Sequence, residues 1–168
     1  AIAKQGLLIQ RSKPVYWSWA AQTALAEAEV EYEDKTSPSI YVAFKHESID
    51  ASIIIWTTTP WTLPANTGIS LNGEEEYVKT SDKFIVAKKL YNALIENEVI
   101  KGEIVETINP KDLENTNAIN PLNGRPSKIV LGEHVMMDSG SGAVHTAPGH
   151  GEDDYKIGLV YGLDVIMP

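Results

Sequence analysis

One stretch, residues 55–66, constrains the fold of this chain more than any other, because a strand pattern changes there into one that excludes a helix. Residues 51–55 end in three isoleucines, a β-branched run typical of a strand covered on both faces. Pro60 and Pro64 then interrupt any helix, and Pro60 holds Thr59 in an extended or turn conformation. The strand must therefore lead into a rigid loop rich in hydroxyl groups and aromatic rings: Trp56, Thr57, Thr58, Thr59, Trp61 and Thr62. A packed core does not need these hydroxyl groups, whereas a site for a small polar ligand does.

The composition is that of one globular domain. With 168 residues, 43% of them hydrophobic and 22% charged, the chain is long enough to bury a hydrophobic core without disulfide bonds or a structural metal ion. The absence of cysteine excludes disulfides and cysteine-ligated zinc. No apolar run approaches the roughly 20 residues that cross a bilayer. We expect residues 1–168 to be a single domain excised from a larger protein, because the chain lacks an initiating methionine and stops at an apolar segment.

The charge balance limits the partners. Fourteen basic and 23 acidic residues give a net charge of −9, which argues against a domain that grips nucleic acid by its phosphates. Any RNA must therefore be delivered by another part of the protein, or be contacted only at one end.

Many short strands are predicted from alternation and turn residues, at residues 7–10, 14–18, 39–45, 67–71, 77–80, 84–87, 103–108, 128–131 and 143–146. The first two would flank a turn at Arg11-Ser12-Lys13. Residues 23–31 have helical propensity, but alternation from Glu29 favours a strand that pairs with residues 39–45. Residues 72–73 predict a turn, residues 87–97 a helix, and residues 109–126 a loop with one helical turn at 111–114. This pattern predicts an α/β mixed, β-rich fold, a closed or nearly closed barrel-like sheet decorated by helices.

A second informative stretch, residues 138–155, combines glycines, two histidines and four acids, three of them consecutive at 152–154. Its strand is followed by a Pro-Gly break and a predicted helix at residues 152–161. Glu152 and Asp153 fit the first helical turn, where acids complement the macrodipole. Asp154 could equally face a ligand and hold a substrate ammonium group.

Three other chemistries fit this stretch less well. His145, His150 and the acids do not have the spacing of a standard zinc site. No Lys-Ser/Thr follows the glycines, as a phosphate-binding loop requires. Ser139 and Ser141 lie in Ser-Gly-Ser-Gly, which is not a nucleophile elbow. We therefore predict no metal ligands.

Together, the two stretches resemble the editing (connective peptide) domain of isoleucyl-tRNA synthetase, a class I aminoacyl-tRNA synthetase. The main motifs are Trp56-Thr57-Thr58-Thr59-Pro60-Trp61-Thr62-Leu63-Pro64-Ala65-Asn66 and Gly140-Ser141-Gly142-Ala143-Val144-His145-Thr146-Ala147-Pro148-Gly149-His150-Gly151-Glu152-Asp153-Asp154-Tyr155. The valyl and leucyl relatives share the domain, but Thr59-Pro60-Trp61 favours the isoleucyl member. Residues 19–21 depart from relatives that carry proline or metal-binding cysteines there.

The resemblance implies hydrolysis of valine wrongly esterified to isoleucine tRNA, with a pocket that excludes isoleucine. It implies that Asp154 binds the α-ammonium and that His145 borders the valine side chain. Thr57, Thr58, Thr59 and Thr62 would surround the ester, the water and the terminal ribose. Trp61 and Asn66 would be pocket wall and scaffold within the substrate-binding set. The catalytic set is Thr57, Thr58, Thr59, His145 and Asp154, and we expect Trp56 in the core.

The implied editing reaction needs no cofactor, since ATP and Mg would serve only the synthetic domain of the parent enzyme. The implied partners are the 3′ CCA end of tRNA(Ile) carrying valine and the rest of the synthetase, without a membrane, in a cytoplasmic monomer. Two alternatives stay open: a non-catalytic module that positions the CCA end, and the same fold in valyl-tRNA synthetase clearing Thr-tRNA(Val).

Overall fold

A nine-stranded mixed sheet forms the body of the chain from Lys35 onward in the computed structural model, which describes residues 2–10 and 13–167. The residues up to Asp34 form a separate compact unit. No helix in the described ranges combines the length and apolar character that crossing a membrane requires.

The N-terminal unit contains little regular structure. It has a 3₁₀ helix at Ile2–Gln5, a small antiparallel hairpin of β1 (Trp17–Ser18) and β2 (Thr23–Ala24), and a 3₁₀ turn at Glu27–Glu29. Residues 7–10 form no strand, and of residues 14–18 only β1 does. The predicted turn at 11–13 includes Arg11 and Ser12, which lie outside the described residues.

The strand predicted from Glu29 is wrong. The Glu29 carboxylate accepts a hydrogen bond from the backbone N–H of Ala26 at 2.7 Å, which closes the 3₁₀ turn instead of extending the chain. Local capping therefore overrides the alternating pattern. The predicted partner, residues 39–45, forms a strand that pairs elsewhere.

The large sheet is built from strands β3 (Ile40–His46), β4 (Ser52–Thr57), β5 (Gly68–Leu71), β6 (Tyr77–Thr80), β7 (Phe84–Ala87), β8 (Ile104–Ile108), β9 (Asn117–Ile119), β10 (Pro126–Leu131) and β11 (Ala143–Thr146). The helices are α1 (Tyr91–Glu96), α2 (Pro110–Leu113) and α3 (Glu152–Tyr161), with 3₁₀ helices at Pro60–Ala65 and Lys88–Leu90. The predicted 87–97 helix is thus divided in two, and β9 lies inside the predicted loop.

The strand order is β11-β5-β10-β9-β3-β4-β7-β6-β8. Pairs β5–β10 and β4–β7 are parallel, and the other neighbours are antiparallel. Within the described ranges β11 and β8 are the two ends and do not pair, so the expected barrel closure is wrong: the sheet is open. Four of the five residues of β8 are exposed, as expected for a strand at the end of a sheet.

The packing of the core places β11 beside β4. Ile53, Ile54 and Ile55 of β4 are all buried, as the β-branched run predicts, and β5 is buried throughout. Fully burying such a side chain is worth about 1.5–3 kcal/mol. In β11, His145 lies opposite Ile69 of β5, and β11 also lies close to β4 although no ladder joins them. The threonine loop after β4 is therefore held beside β11 and the start of α3.

Candidate functional site

A cavity of about 450 Å³ lies where β4, β11 and α3 meet. It is lined by three segments that are distant in sequence: the threonine stretch, β11 and the turn into α3. The lining residues are Trp56, Thr57, Thr58, Thr59, Trp61, Thr62, Val144, His145, His150, Gly151 and Asp154.

The threonine stretch is folded back on itself at the end of β4. Thr57 is the last residue of the strand and is buried, whereas Thr58 and Thr59 are exposed. The N–H of Thr59 donates to Oγ1 of Thr57 at 3.0 Å, and the two Oγ1 atoms are 3.3 Å apart. Pro60 opens the following 3₁₀ helix, where its missing N–H costs nothing. The hydroxyl groups are thus fixed at one rim of the cavity.

A hydrogen bond joins the threonine stretch to β11. Oγ1 of Thr62 lies 2.9 Å from Nε2 of His145 and donates to the carbonyl oxygen of Thr59 at 2.8 Å. His145 is only 5% exposed. Burial, with a smaller effect of nearby His150, lowers the pKa of His145 from 6.5 to about 4. The imidazole is therefore neutral at pH 7.

Asp154 is the acid of the α3 first turn that lines the cavity. Its Oδ2 accepts the backbone N–H of Ala147 at 2.9 Å. Burial raises the pKa of its carboxyl group, against the opposing effects of that hydrogen bond and of His134 and His150. Glu152 and Asp153 are instead exposed and pair with Lys156 at 3.2 and 3.5 Å. The helix thus separates one inward carboxylate from two solvated ones.

Asn66 and Trp61, both predicted to bind substrate, differ from the other predicted site residues in burial. Asn66 is fully buried and does not line the cavity; it donates to the carbonyl oxygen of Gly68 at 2.7 Å and accepts from the hydroxyl of Ser127. It fixes the end of the threonine stretch. Trp61 lines the cavity but is 67% exposed.

The core position expected for Trp56 is wrong. Trp56 is half-buried and lines the cavity, and it also lines a second cavity of about 620 Å³. Gly140 explains its placement: this residue has φ +78°, and a Cβ there would lie 2.9 Å from the Trp56 ring. The ring packs against Gly140 of the 138–142 loop, a tertiary contact that no local sequence signal could have indicated.

The arrangement supplies a desolvated carboxylate, several hydroxyl groups and a neutral imidazole around one small space. It suits a ligand with an amine and a polar carbonyl group. Ser139 and Ser141 lie outside this cavity, and Ser141 is bonded to its own strand. Within the described ranges, no cluster of three or more His, Cys, Asp or Glu residues could hold a metal ion.

Comparisons with known proteins agree with one another. Residues 36–167 match the family model described as leucyl-tRNA synthetase, editing domain. The chain is 73% identical to an isoleucine–tRNA ligase of Aliarcobacter butzleri and 69% identical to one of a Nitratiruptor species. These alignments cover 100% and 99% of the chain but 19% of each relative, so the chain spans about a fifth of their length.

Solved structures show the same fold at low identity. The crystal structure of GlLeuRS-CP1 is similar with a TM-score of 0.58 and 20% identity, over 71% of this chain and 54% of that one. The cytosolic leucyl-tRNA synthetase editing domain of P. falciparum is similar with a TM-score of 0.54 and 15% identity, over 63% of this chain and 44% of that one.

Proposed function

The chain belongs to the aminoacyl-tRNA synthetase editing-domain family, and from that premise we propose that it hydrolyses the ester of valine mischarged onto tRNA(Ile). In this proposal it is the editing domain of an isoleucyl-tRNA synthetase. The isoleucine–tRNA ligases that resemble it across its length, and the Thr59-Pro60-Trp61 sequence, support this member of the family. The partners would be the 3′ CCA end of the tRNA and the rest of the synthetase.

The observation that carries the proposal is the Asp154 carboxylate. It is half-buried beside the hydroxyl groups of the threonine stretch, and no described lysine or arginine forms an ion pair with it. A carboxylate that is desolvated without a counter-ion is costly unless a ligand supplies the positive charge. The α-ammonium of an aminoacyl ester supplies that charge, and it is attached to the same α-carbon as the ester carbonyl.

The chemistry then needs orientation more than a nucleophile. Water adds to the ester carbonyl, the ribose oxygen leaves and takes up a proton, and free valine and uncharged tRNA result. Thr57, Thr58 and Thr59 can orient the water and donate to the developing oxyanion, since each hydroxyl both donates and accepts. Binding the ammonium at Asp154 holds the carbonyl beside them. No step of this reaction uses ATP, a metal ion or another cofactor.

Selectivity would come from the size of the pocket. One methylene is worth about 1–3 kcal/mol in a hydrophobic pocket, and the isoleucyl enzyme is itself the standard example of that limit, so the figure is general knowledge and not a result of this structure. A second pocket that admits valine and excludes isoleucine multiplies the discrimination. His145 and Val144 line the cavity where such exclusion would act.

The test is deacylation by the parent synthetase that carries this chain, with Asp154→Asn compared with Asp153→Asn. Asparagine keeps an oxygen for the Ala147 N–H but loses the charge, so we expect valyl-tRNA(Ile) cleavage to fall about 10- to 150-fold, equivalent to about 1.5–3 kcal/mol for a charged hydrogen bond. Asp153→Asn is the matched control because its side chain faces solvent on the same turn.

Wild type should spare isoleucyl-tRNA(Ile). If Asp154→Asn cleaves the valyl ester as fast as wild type, the assignment of the site is wrong. If wild type leaves the valyl ester intact, a module that only positions the CCA end becomes the better description. Faster cleavage of threonyl-tRNA(Val) would favour the valyl synthetase instead.

A further inference from the structure

The short 3₁₀ helix at Pro60–Ala65 depends on outside donors for its carbonyl groups. Two of its six residues are prolines and have no backbone N–H, so the helix has fewer donors than its length would normally supply. The carbonyl groups at its end also lie beyond the reach of its own N–H groups. Leu63 is buried, so its carbonyl oxygen needs a partner within the protein. Because the helix carries two residues that line the cavity, Trp61 and Thr62, whatever holds the helix also holds one side of the site.

Two asparagines of the β9–β10 loop, residues 120–125, supply such donors. Nδ2 of Asn120 donates to the carbonyl oxygen of Leu63 at 2.9 Å, and Nδ2 of Asn123 donates to that of Pro64 at 3.2 Å. The bonds join residues that are 57 and 59 positions apart, so only the folded chain can make them. Asn120 is fully buried, whereas Asn123 is exposed. A buried carbonyl group that loses its partner costs more free energy than an exposed one, so the Asn120 contact is the stronger of the two.

The loop itself holds both amide groups in the orientation that these bonds need. Oδ1 of Asn120 accepts the backbone N–H of Leu122 at 2.9 Å, and Oδ1 of Asn123 accepts that of Arg125 at 3.0 Å. Since each oxygen is engaged by a donor, each Nδ2 is the atom that faces the 3₁₀ helix. The backbone N–H of Asn120 also donates to the carbonyl oxygen of Arg125 at 2.9 Å, which closes the loop. The amides are therefore fixed by the loop and do not depend on the helix for their orientation.

We propose that Asn120 is a positioning residue for the editing reaction: by holding the carbonyl group of Leu63, it fixes the threonine stretch in the arrangement that lines the cavity. This inference rests on the proposed function and concerns a residue outside the cavity lining. Leu63 directly follows Thr62, whose N–H and hydroxyl both donate to the carbonyl oxygen of Thr59. A displacement of Leu63 would therefore reach the hydroxyl groups that orient the water, and the loss would fall on kcat.

The first experiment uses Trp61, inside the 3₁₀ helix, to report on the position of the helix. Asn120→Asp keeps one oxygen for the loop but replaces Nδ2 by a second oxygen, which cannot donate to Leu63. In fluorine-19 spectra of the 168-residue chain labelled with 5-fluorotryptophan, we expect the Trp61 resonance to shift or broaden in this variant. Trp61→Phe assigns that resonance. The resonances of Trp17 and Trp19, which lie in the N-terminal unit, should not change.

Asn92→Asp is the matched control, because Asn92 is exposed on α1 and the substitution adds the same charge. It should leave the Trp61 resonance as in wild type. A measurement on the wild-type chain tests the bond without any substitution. The side-chain amide hydrogens of Asn120 should exchange with solvent about tenfold or more slowly than those of Asn92, because they are buried and hydrogen-bonded.

The second experiment measures valyl-tRNA(Ile) deacylation by the parent synthetase. For Asn120→Asp, we expect kcat to fall about tenfold and KM to change less than about twofold, because the ammonium site at Asp154 is unchanged. Asn123→Asp should lower kcat only about twofold, since its bond is exposed. Ile108→Ala is the control for stability: it removes buried methyl groups from β8, at the end of the sheet opposite β11. It should lower the unfolding temperature while kcat stays at the wild-type value.

Three results overturn the inference. One is an Asn120→Asp variant with the wild-type Trp61 resonance and the wild-type kcat. Another is a raised KM at unchanged kcat, which would assign the contact to tRNA binding. The third is an equal fall of kcat in Ile108→Ala, which would reduce the effect to lost stability.

Two further outcomes keep the inference testable. If Asn120→Asp does not fold, rapid exchange of the Asn120 amide in wild type, or a wild-type kcat in Asn123→Asp, would overturn it. If wild type cleaves no valyl ester, the proposed function fails separately, and the exchange rates and fluorine spectra still decide whether Asn120 holds the helix.

Discussion

At the scale of single residues, burial shifts two groups of the site in opposite directions and brings both towards neutrality. The pKa of the Asp154 carboxyl is raised and the pKa of the His145 imidazole is lowered, each chiefly by desolvation. The two shifts have different consequences. The Asp154 carboxylate is available to bind a cation, whereas the His145 imidazole is an uncharged surface beside it.

The lowered pKa of His145 predicts an acid-sensitive fold. Unfolded, the imidazole takes up a proton near pH 6.5; folded, it does so only near pH 4. Its contribution is therefore complete above pH 6.5 and is lost as the pH falls towards 4, a loss of roughly 2 kcal/mol at pH 5. Urea unfolding between pH 7.5 and 5 should show a smaller fall in the free energy of unfolding for His145→Gln than for wild type.

His150→Gln is the matched control, because this neighbouring histidine is exposed. Buried His46 also has a lowered pKa from desolvation, so the His145 variant should keep part of the pH dependence. If the free energy of unfolding fell equally with pH for wild type and His145→Gln, the imidazole would have the same pKa in the folded and unfolded states.

Sequence analysis identified most residues of the site because their chemistry is local. Successive threonines before a proline, and an acid in a first helical turn, indicate polar groups without any tertiary information. The Thr62–His145 bond and the exposed face of Trp56 could not be predicted in the same way. Both depend on which strands become neighbours, and β11 reaches β4 only through pairing with β5.

At the scale of elements, the 138–142 loop packs against Trp56, which lines both cavities. Gly140 and Gly142 both have positive φ, at +78° and +77°. A Cβ on Gly140 would lie 2.9 Å from the Trp56 ring, and one on Gly142 would lie 2.2 Å from Cβ of Ala87. The loop packs too closely against β4 and β7 to carry side chains at these positions.

Gly140→Ala should therefore impair both folding and the site. A positive φ alone costs about 1 kcal/mol or more in alanine, and overpacking adds about 1–3 kcal/mol. Gly124→Ala isolates the backbone cost, since Gly124 has φ +72° with no atom within 4 Å of an added Cβ. Thermal unfolding and valyl-tRNA(Ile) deacylation should both show the larger loss for Gly140→Ala; equal losses would mean that Trp56 moves aside freely.

The elements that sequence analysis placed correctly are those with strong local signals. Strands β6 and β7 and helix α3 have the predicted bounds, because a turn separates the first two and a Pro-Gly break precedes the third. One error lies where tertiary contacts decide, whereas the strand predicted from Glu29 was displaced by a local cap. Strand β9 forms within an apparent loop because β3 and β10 offer it backbone partners on both sides.

At the scale of the whole molecule, the charge of the chain is unlike that of a domain that captures tRNA. A net charge of −9 opposes the binding of a polyanion, and in the proposed function the site needs only the aminoacylated end of the tRNA. The chain spans 19% of the length of its relatives, so in the proposed function most of the parent enzyme is left to bind the rest of the tRNA. Recognition and hydrolysis would then be divided between parts of one enzyme.

This division predicts a defect in KM for the chain alone. Compared with the parent synthetase, the 168-residue chain should cleave valyl-tRNA(Ile) with a KM raised about tenfold or more and a kcat that changes less. A valyl ester of adenosine is the control substrate, since it lacks the phosphates and should be cleaved alike by both. Equal KM values on the full tRNA would show that the chain binds tRNA by itself.

The separation of Thr62 and His145 by 83 residues also has a consequence in time. At about 5–20 residues per second, a ribosome adds His145 roughly 4 to 17 s after Thr62. Until then, β5 lacks its β11 neighbour, and the threonine stretch faces no opposite wall. If the proposed function holds, an unfinished chain cannot hydrolyse aminoacyl esters while the ribosome around it is using them, and hydrolysis begins only once this part of the polypeptide has been made and folded.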